Sequence, residues 1–222
     1  MASLPGPIQV HLFTARLSAF SLDEKEGSNL PGRIQSRRSE ALLRRLLSRF
    51  AGVPPQAVPL WKNRWGKPLL PASCGLWFSL SHSGDRWIAA VARFPVGIDL
   101  EAVRPRKDPL RLARRFLLPE EAAVVSASSR EEQLSAFLRI WTKKEAFLKG
   151  CGSGLFRSPC SFRFTRREGA SSWENVIPSE ADGEVWKVQS QDFEDGFLGA
   201  LAVAHSRPEE LAVTREEFPA SG

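Results

Sequence analysis

The longest regular pattern of apolar positions runs along Glu131–Lys149. Its apolar residues recur three and four positions apart, which predicts an amphipathic helix with one buried stripe. The stripe comprises Leu134, Phe137, Leu138, Trp141 and Leu148. Glu145 follows Trp141 by four residues and precedes Leu148 by three, so it falls on the same stripe. The pattern therefore directs a carboxylate toward the interior.

Shorter patterns predict three further helices and a series of strands. The helices are Ser39–Phe50, with Ser39 as its N-cap and Gly52 beyond its end, Leu110–Phe116, and Pro119–Ser126. Residues Ile8–Phe20 are predicted to be a strand that runs into a loop. Alternating or continuous apolar runs predict further strands at Trp77–Leu80, Trp87–Arg93, Val96–Glu101, Ser161–Thr165, Val185–Gln189 and Leu198–Ala204, with a turn at His82–Arg86.

The two halves of the chain share an order of elements. Each contains a long helix, a segment punctuated by glycine or proline, and strands that end in a small-residue apolar strand, Ile88–Ala92 in the first half and Leu198–Ala204 in the second. We therefore predict an α+β fold of two similar, pseudo-symmetric lobes, residues 1–98 and 99–222. A single continuous α+β domain is the alternative.

Composition is that of an ordinary globular chain with a surplus of basic residues. Of its 222 residues, 42% are hydrophobic and 25% charged, and the net charge is +6. The surplus favours an anionic partner, which can be nucleic acid, a phosphorylated cofactor or an acidic protein. Arginines cluster in Arg33–Arg49 and Arg104–Arg115 rather than in a stripe with interleaved aromatics, so we expect no nucleic-acid partner.

The sequence gives no sign of a membrane or secreted location. No apolar run approaches the roughly 20 residues that span a bilayer, and Met1–Val10 lacks the basic and apolar regions of a secretory signal. We expect a cytoplasmic protein without a membrane partner. Cys74, Cys151 and Cys160 form no CxxC pair, which argues against a disulfide framework or a zinc site.

Glu145 needs a partner if its helix face is buried. An ionised carboxylate turned inward costs several kcal/mol unless it is compensated. Lys149, four residues on, is a helical neighbour, but such a pair contributes only about 0.2–0.5 kcal/mol. Either the face is not fully buried, or Glu145 meets a stronger partner such as a metal ion.

A second acidic pattern lies on the predicted strand Val96–Glu101. Side chains alternate along a strand, so Asp99 and Glu101 share a face with Gly97, which leaves room there for a ligand. Two carboxylates on one face suit a hard divalent ion such as Mg²⁺. With Glu145 as a third carboxylate we predict a metal site, and a solvated acidic edge strand is the alternative.

Other polar residues give weaker signals. Ser81 and His82 lie in a hydroxyl-rich segment whose donors suit a diphosphate, although an ordinary hairpin turn explains them as well. A Ser–His nucleophile is disfavoured, because the side chains of sequence neighbours diverge. Lys67 lies in a constrained Gly-Lys-Pro turn, and Arg33 and Arg37 belong to a helix whose arginines either bind phosphate or face solvent.

Five segments occur in the order WGKP, FSLSHSG, VGIDLE, RRFLLPEE and WTKKEAFLKGCGSGL. Together they resemble the 4′-phosphopantetheinyl transferases of the long, two-lobed Sfp type, over about Arg33 to Leu155. The resemblance implies the two-lobed fold of that family. It also implies an enzyme that moves 4′-phosphopantetheine from coenzyme A to a serine of an apo acyl or peptidyl carrier protein and releases adenosine 3′,5′-bisphosphate.

The resemblance further implies roles for individual residues. Asp99, Glu101 and Glu145 would hold Mg²⁺, or Mn²⁺ in its place, on the diphosphate. The residues implied to bind coenzyme A are Lys67 at the adenosine-side phosphate, Ser81 and His82 at the diphosphate, Lys149 at the phosphates, and Arg33 and Arg37 at the 3′-phosphate.

The catalytic set implied by the resemblance comprises Glu145, Lys149, His82 and Glu121. Lys149 and His82 would neutralise phosphate charge. Two candidates remain for the base that takes the serine proton: Glu145, directly or through bound water, and Glu121 in the first turn of a predicted helix.

Coenzyme A and acidic apo carrier proteins are the implied partners, and a basic surface would attract the latter. We expect a monomer whose two lobes imitate a dimer. The alternative function is a module that binds coenzyme A or an acidic protein without chemistry. The intact set of Asp99, Glu101, Glu145 and Lys149 argues against that alternative.

Overall fold

The computed structural model describes residues 9–20, 31–105, 108–153, 156–165, 172–177, 185–194, 196–207 and 210–219. Its α-helices are α1 (Pro31–Ala51), α2 (Pro109–Phe116), α3 (Pro119–Ala127) and α4 (Gln133–Cys151). Its strands are β1 (Gln9–Arg16), β2 (Trp61–Lys62), β3 (Pro68–Leu69), β4 (Trp77–Ser83), β5 (Arg86–Ala92), β6 (Val96–Ala102), β7 (Arg163–Thr165), β8 (Glu174–Ile177), β9 (Trp186–Phe193), β10 (Phe197–Ala204) and β11 (Ala212–Glu217).

The strands form two sheets and one short hairpin. Strand order in the first sheet is β11-β1-β5-β4, with β1 and β11 parallel and the other pairs antiparallel. The second sheet has the order β6-β10-β9-β8-β7 and is antiparallel. β2 and β3 form the hairpin. This mixture of helices and sheets confirms the α+β class.

The two sheets lie face to face between two long helices. Within β5, Trp87 packs into the cluster beneath α1, whereas its neighbour Ile88 packs between the sheets. Within β10, Leu201 faces the same inter-sheet core and Ala202 packs toward α4. Because neighbouring residues of a strand point to opposite faces, these contacts give four layers: α1, first sheet, second sheet and α4.

The predicted boundary between residues 98 and 99 falls inside β6. All of β6 belongs to the second sheet, whereas β11, near the end of the chain, joins the first sheet. One cut of the sequence therefore does not separate the strands of the two sheets. The division of the chain into two lobes at this position stays a prediction.

Helix α1 begins eight residues before its predicted N-cap. Proline favours the first position of a helix, because it has no N–H to leave unsatisfied, and Pro31 occupies that position here. Ser39 is therefore not a cap; it is buried within α1, and its hydroxyl accepts a hydrogen bond from the Trp87 indole (3.0 Å). The first turns of α1 carry few apolar residues, so periodicity does not reveal them. Gly52 follows the helix with a positive φ of 66°, as predicted.

Strand β4 is longer than predicted. It continues through Ser83, and the turn to β5 consists of Gly84 and Asp85 rather than His82–Arg86. Gly84 adopts a φ of 58°, which a glycine accepts without strain. His82 therefore lies on a strand, with its orientation fixed by the pleat.

The remaining predicted elements are close to those observed, except where apolar patterning is weak. α2, α3, α4, β6 and β10 match within about two residues. In the predicted strand and loop Ile8–Phe20, the strand ends at Arg16, and Ile8 lies outside the described residues. The pattern missed the β2–β3 hairpin, β8 and β11, whose side chains are largely exposed or partly buried. Within the described ranges, no helix is both long and apolar enough to cross a bilayer.

Candidate active site

A cavity of about 560 Å³ lies where α1, the β2–β3 hairpin, β4 and the C-terminal part of α4 meet. Its volume falls in the range of small-molecule sites. Acidic and basic groups converge on it from both halves of the chain. The ionisable residues that line it include Arg44, Lys62, Lys67, His82, Glu145 and Lys149.

Asp99, Ser81 and Lys149 form a hydrogen-bonded cluster beside this cavity. The Lys149 ammonium donates to Asp99 Oδ1 (2.6 Å) and to Ser81 Oγ (2.8 Å), and Ser81 Oγ donates to Asp99 Oδ1 (2.8 Å). Asp99 and Ser81 are buried, whereas the Lys149 side chain is 30% exposed and reaches the cavity. The cluster joins β4, β6 and α4, three elements far apart in sequence. It confirms that Asp99 points away from the inter-sheet core.

Glu145 lies next to this cluster with a perturbed carboxyl group. Burial, and then the negative charge of Asp99, raises the pKa of Glu145 to about 7, although the Lys149 ammonium acts in the opposite direction. Glu145 Oε1 is buried, and none of the residues that the structure describes forms a hydrogen bond with it. The Lys149 ammonium makes its ion pair with Asp99 rather than with Glu145. The helix neighbour therefore does not account for the inward carboxylate, as the energies had indicated.

Gly97 serves close packing rather than ligand space. A Cβ at this position would collide with the Ala146 carbonyl oxygen of α4 and would lie 2.5 Å from the Gly150 nitrogen. The prediction that Gly97 leaves room for a ligand is wrong, because α4 fills that space. The close contact lets Glu145 and Lys149 of α4 approach the carboxylates of β6.

Glu101 lies on the same face of β6 and accepts a hydrogen bond from Ser83 Oγ (3.2 Å). Among the described residues, no group of three or more His, Cys, Asp or Glu side chains is placed to hold a metal ion. Two buried carboxylate oxygens, Asp99 Oδ2 and Glu145 Oε1, nevertheless lack hydrogen-bond partners within the described part of the chain. Unpartnered buried carboxylate oxygens are the feature that a cation would compensate.

His82 and Ser81 point in different directions, as expected for strand neighbours. His82 is exposed and lines the cavity, whereas Ser81 turns toward β6. Partial burial and the charge of Lys149 lower the pKa of His82. Its imidazole is therefore neutral at physiological pH and offers one N–H donor to the cavity.

Lys67 bonds to the C-terminal end of α4. Its ammonium donates to the Gly150 carbonyl (2.8 Å), and the nearby Asn63 amide donates to the Gly152 carbonyl (2.9 Å). Burial lowers the pKa of Lys67 to about 8. These bonds satisfy carbonyls at a helix end, where a cation is favourable. Lys67 also lines the cavity.

The two arginines predicted to bind the 3′-phosphate are not among the described residues that line the cavity, although other basic residues are. Arg33 is exposed near the start of α1, and neither Arg33 nor Arg37 is among the described lining residues. Instead, Arg44, about two helical turns after Arg37 on α1, and Lys62 on β2 line the cavity. Arg44 belongs to the predicted helix whose arginines were expected either to bind phosphate or to face solvent, whereas no sequence signal indicated Lys62.

Glu121 lies away from the described lining of this cavity and has a strong partner of its own. Its carboxylate forms an ion pair with Lys144 (2.9 Å), a lysine with no exposed side-chain surface, and also accepts from the Leu118 backbone N–H (3.0 Å). The Lys144 ammonium donates further to the Pro159 and Phe162 carbonyls. This arrangement ties α3, α4 and the segment before β7 together. Glu121 was predicted as a candidate base, but no pattern in the sequence indicated Lys144 as its partner.

Comparison with known proteins places these motifs in one family. Residues 95–204, from the start of β6 to the end of β10, match the model of the 4′-phosphopantetheinyl transferase superfamily. A 4′-phosphopantetheinyl transferase of Bacillus subtilis is 35% identical over 168 residues, which cover 75% of this chain and 72% of the relative.

Two further relatives extend the match over most of the chain. The 4′-phosphopantetheinyl transferase Gsp of Aneurinibacillus migulanus is 24% identical over 96% of this chain and 88% of its own length. The 4′-phosphopantetheinyl transferase Sfp of Bacillus subtilis strain 168 is 29% identical over 80% of this chain and 78% of its own length. The cluster of Asp99, Glu145 and Lys149 thus lies in a chain that belongs to the 4′-phosphopantetheinyl transferase superfamily.

Proposed function

We propose that this enzyme transfers 4′-phosphopantetheine from coenzyme A to a serine of an apo acyl or peptidyl carrier protein. The observation that carries the proposal is the meeting of Asp99, Glu145 and Lys149 at the edge of a ligand-sized cavity. In the reaction, the serine oxygen bonds to the phosphorus of the phosphopantetheine. The bond from that phosphorus to the bridging oxygen breaks, and adenosine 3′,5′-bisphosphate leaves with that oxygen.

The cavity suits a polyanionic substrate with an aromatic base. Arg44, Lys62 and Lys67 bring positive charge from α1 and the β2–β3 hairpin, and Lys149 adds a further cation at the inner end. The indole of Trp61 lines the same space and offers an aromatic face. Phosphoryl transfer relies mainly on positioning and charge neutralisation, so this arrangement fits the reaction.

The carboxylates fit a bound Mg²⁺, with Mn²⁺ as a substitute. Mg²⁺ is usually held by one or two carboxylates together with substrate phosphates and water, rather than by a complete protein cage. The unpartnered oxygens of Asp99 and Glu145, with Glu101 on the same face of β6, match that requirement. When bound there, Mg²⁺ would neutralise charge on the diphosphate.

Lys149 and His82 contribute charge and hydrogen bonding on the protein side. The Lys149 side chain is 30% exposed at the cavity, so its ammonium, which carries three N–H donors, can also donate to a phosphate oxygen. His82, neutral and exposed at the cavity, donates its N–H to the diphosphate. Both groups stabilise the negative charge that develops on the leaving phosphate.

We propose Glu145 rather than Glu121 as the base that takes the serine proton. Glu145 lines the cavity beside the proposed metal ligands, so it can take the proton directly or through bound water. The Glu121 carboxylate is occupied by the buried Lys144 ammonium. Releasing it for proton transfer would leave Lys144 buried without its anionic partner.

Positive charge on α2 supports an acidic carrier protein as the acceptor. Arg111, Arg114 and Arg115 are exposed on this helix, and the net charge of the chain is +6. Complementary charge of this kind accelerates encounter between proteins.

The proposal is tested by intact-mass analysis of a panel of apo acyl and peptidyl carrier proteins incubated with enzyme, coenzyme A and Mg²⁺. We expect at least one carrier to gain the mass of a single phosphopantetheine. Tight binding of coenzyme A with no mass gain on any carrier would contradict it and favour a non-catalytic binding module.

A further inference from the structure

Ser79, Ser81 and Ser83 alternate along β4, so their side chains share one face. This face lies against the edge of β6 that is not paired with β10. On its other side β6 pairs with β10, so this edge would leave backbone N–H groups exposed. Ser79 Oγ accepts from the Ile98 N–H (3.1 Å), and Ser83 Oγ accepts from the Ala102 N–H (3.0 Å). Hydroxyl groups from the first sheet thus satisfy the edge of the second and hold the two sheets together.

The hydroxyls of the three serines differ in the groups to which they donate hydrogen bonds. A serine hydroxyl has one proton and two lone pairs, so a serine that accepts from a backbone N–H can still donate. Ser83 Oγ donates to Glu101 Oε2 (3.2 Å), and Ser81 Oγ donates to Asp99 Oδ1 (2.8 Å). For Ser79, the hydrogen bonds within the described residues include the Ile98 N–H but no carboxylate.

We infer that Ser83 is a positioning residue that orients the Glu101 carboxylate for metal binding. The inference rests on the proposed function, in which Glu101 is a ligand of Mg²⁺. The Ala102 N–H fixes the Ser83 hydroxyl, and Ser83 in turn restrains a carboxylate on a flexible, partly buried side chain. Residues that hydrogen-bond to metal ligands fix their orientation, and their loss typically weakens metal affinity about 10–100-fold.

Ser79 provides a matched control for Ser83. Both are β4 serines whose hydroxyls accept from a β6 N–H at nearly the same distance, 3.1 Å and 3.0 Å. Replacement of either by alanine leaves one backbone N–H of β6 unsatisfied. Only the replacement of Ser83 also removes a donor to a proposed metal ligand. A purely structural role for the serines would therefore affect both variants alike.

The test measures the dissociation constant of Mn²⁺ alone by electron paramagnetic resonance, with wild type, Ser83→Ala and Ser79→Ala. We expect Ser83→Ala to weaken Mn²⁺ binding about tenfold or more, Ser79→Ala to leave it unchanged, and Ser83→Thr to restore it. Equal Mn²⁺ affinity in the Ser83→Ala and Ser79→Ala variants would overturn the inference. If Ser83→Ala does not fold, Ser83→Cys replaces it, with a weaker donor and the same expected direction.

The same measurement separates this inference from the proposed function. If wild type binds Mn²⁺ and the two alanine variants match each other, only the role of Ser83 fails. If wild type binds no Mn²⁺, the metal assignment and the role of Ser83 both fail. Transfer of phosphopantetheine is read separately from the mass of the carrier protein.

Discussion

The ammonium of Lys149 lies 2.6 Å from a carboxylate oxygen of Asp99, although the two residues are 50 positions apart in the chain. Asp99 is almost fully buried, so this ion pair compensates a charge that would otherwise be costly. Lys149 also contacts the cavity. One lysine therefore stabilises the fold of the site and stands where it can bind substrate phosphate.

Replacement Lys149→Met should lower both activity and stability. Loss of a charge that stabilises the transition state typically costs about 10²–10³ in rate. The buried Asp99 would also lose a charged hydrogen-bond partner, at about 1–3 kcal/mol of unfolding free energy. Carrier-protein transfer rates and urea unfolding measure the two effects. Lys143→Met removes the same charge from α4 but at the Glu174 ion pair, and it should keep its transfer rate. Equal rates for the two variants would contradict the role of Lys149.

The ionisation of Glu145 should make the metal-free protein less stable as the pH rises. The pKa of Glu145 is about 7 in the folded protein, against 4.5 for an unperturbed glutamate. Between pH 4.5 and pH 7, the Glu145 carboxyl keeps its proton in the folded chain but has lost it in the unfolded chain. This contribution to stability is therefore fully present below pH 4.5 and lost as the pH rises through 7.

Glu145→Gln removes this titration. With a chelator present, we expect the stability of the variant relative to wild type to increase between pH 5 and pH 8, as measured by urea unfolding. A difference that stays constant over this range would show that the Glu145 carboxyl does not titrate there in the folded protein.

Gly97→Ala should destabilise the protein through a direct clash with α4. The new methyl group would meet the backbone of Ala146 and Gly150, which cannot rotate away as a side chain can. Overpacking of this kind typically costs about 1–3 kcal/mol, or more where backbone must move. Gly32→Ala is the control, because a Cβ there meets nothing within 4 Å and alanine favours the helix. In thermal unfolding, the melting temperature of Gly97→Ala should be lower than that of wild type. The melting temperature of Gly32→Ala should equal or exceed that of wild type.

Glu121→Gln should affect stability more than chemistry. It removes the charge opposite the fully buried Lys144, and loss of one partner of a buried pair costs about 3–5 kcal/mol. Arg139→Met, on the same helix as Lys144, breaks an exposed ion pair with Asp192 of β9 and should cost less than about 1 kcal/mol. Transfer by folded Glu121→Gln should retain most of the wild-type rate. A large loss of rate with unchanged unfolding free energy would instead identify Glu121 as the base.

Local patterns were enough to predict α2, α4 and β6, because each carries an apolar stripe or alternation that matches its buried face. The start of α1 was missed, since its first turns contact little of the core. The face shared by Asp99 and Glu101 followed from strand alternation alone. The pairing of Asp99 with Lys149 could not be predicted from alternation, because the contact of Lys149 with β6 depends on how closely α4 packs on Gly97. Pairings between distant elements, such as Glu121 with Lys144, leave no periodic signal.

The central claim is that the enzyme transfers a phosphopantetheine group and is not only a coenzyme A binding protein. The most direct measurement follows carrier-protein mass and released adenosine 3′,5′-bisphosphate in one reaction with coenzyme A and Mg²⁺, for wild type and Glu145→Gln. We predict that wild type yields one nucleotide for each phosphopantetheine gained by the carrier, and that Glu145→Gln yields neither at a comparable rate while remaining folded. Bound coenzyme A without release of nucleotide, or undiminished transfer by Glu145→Gln, would contradict this account.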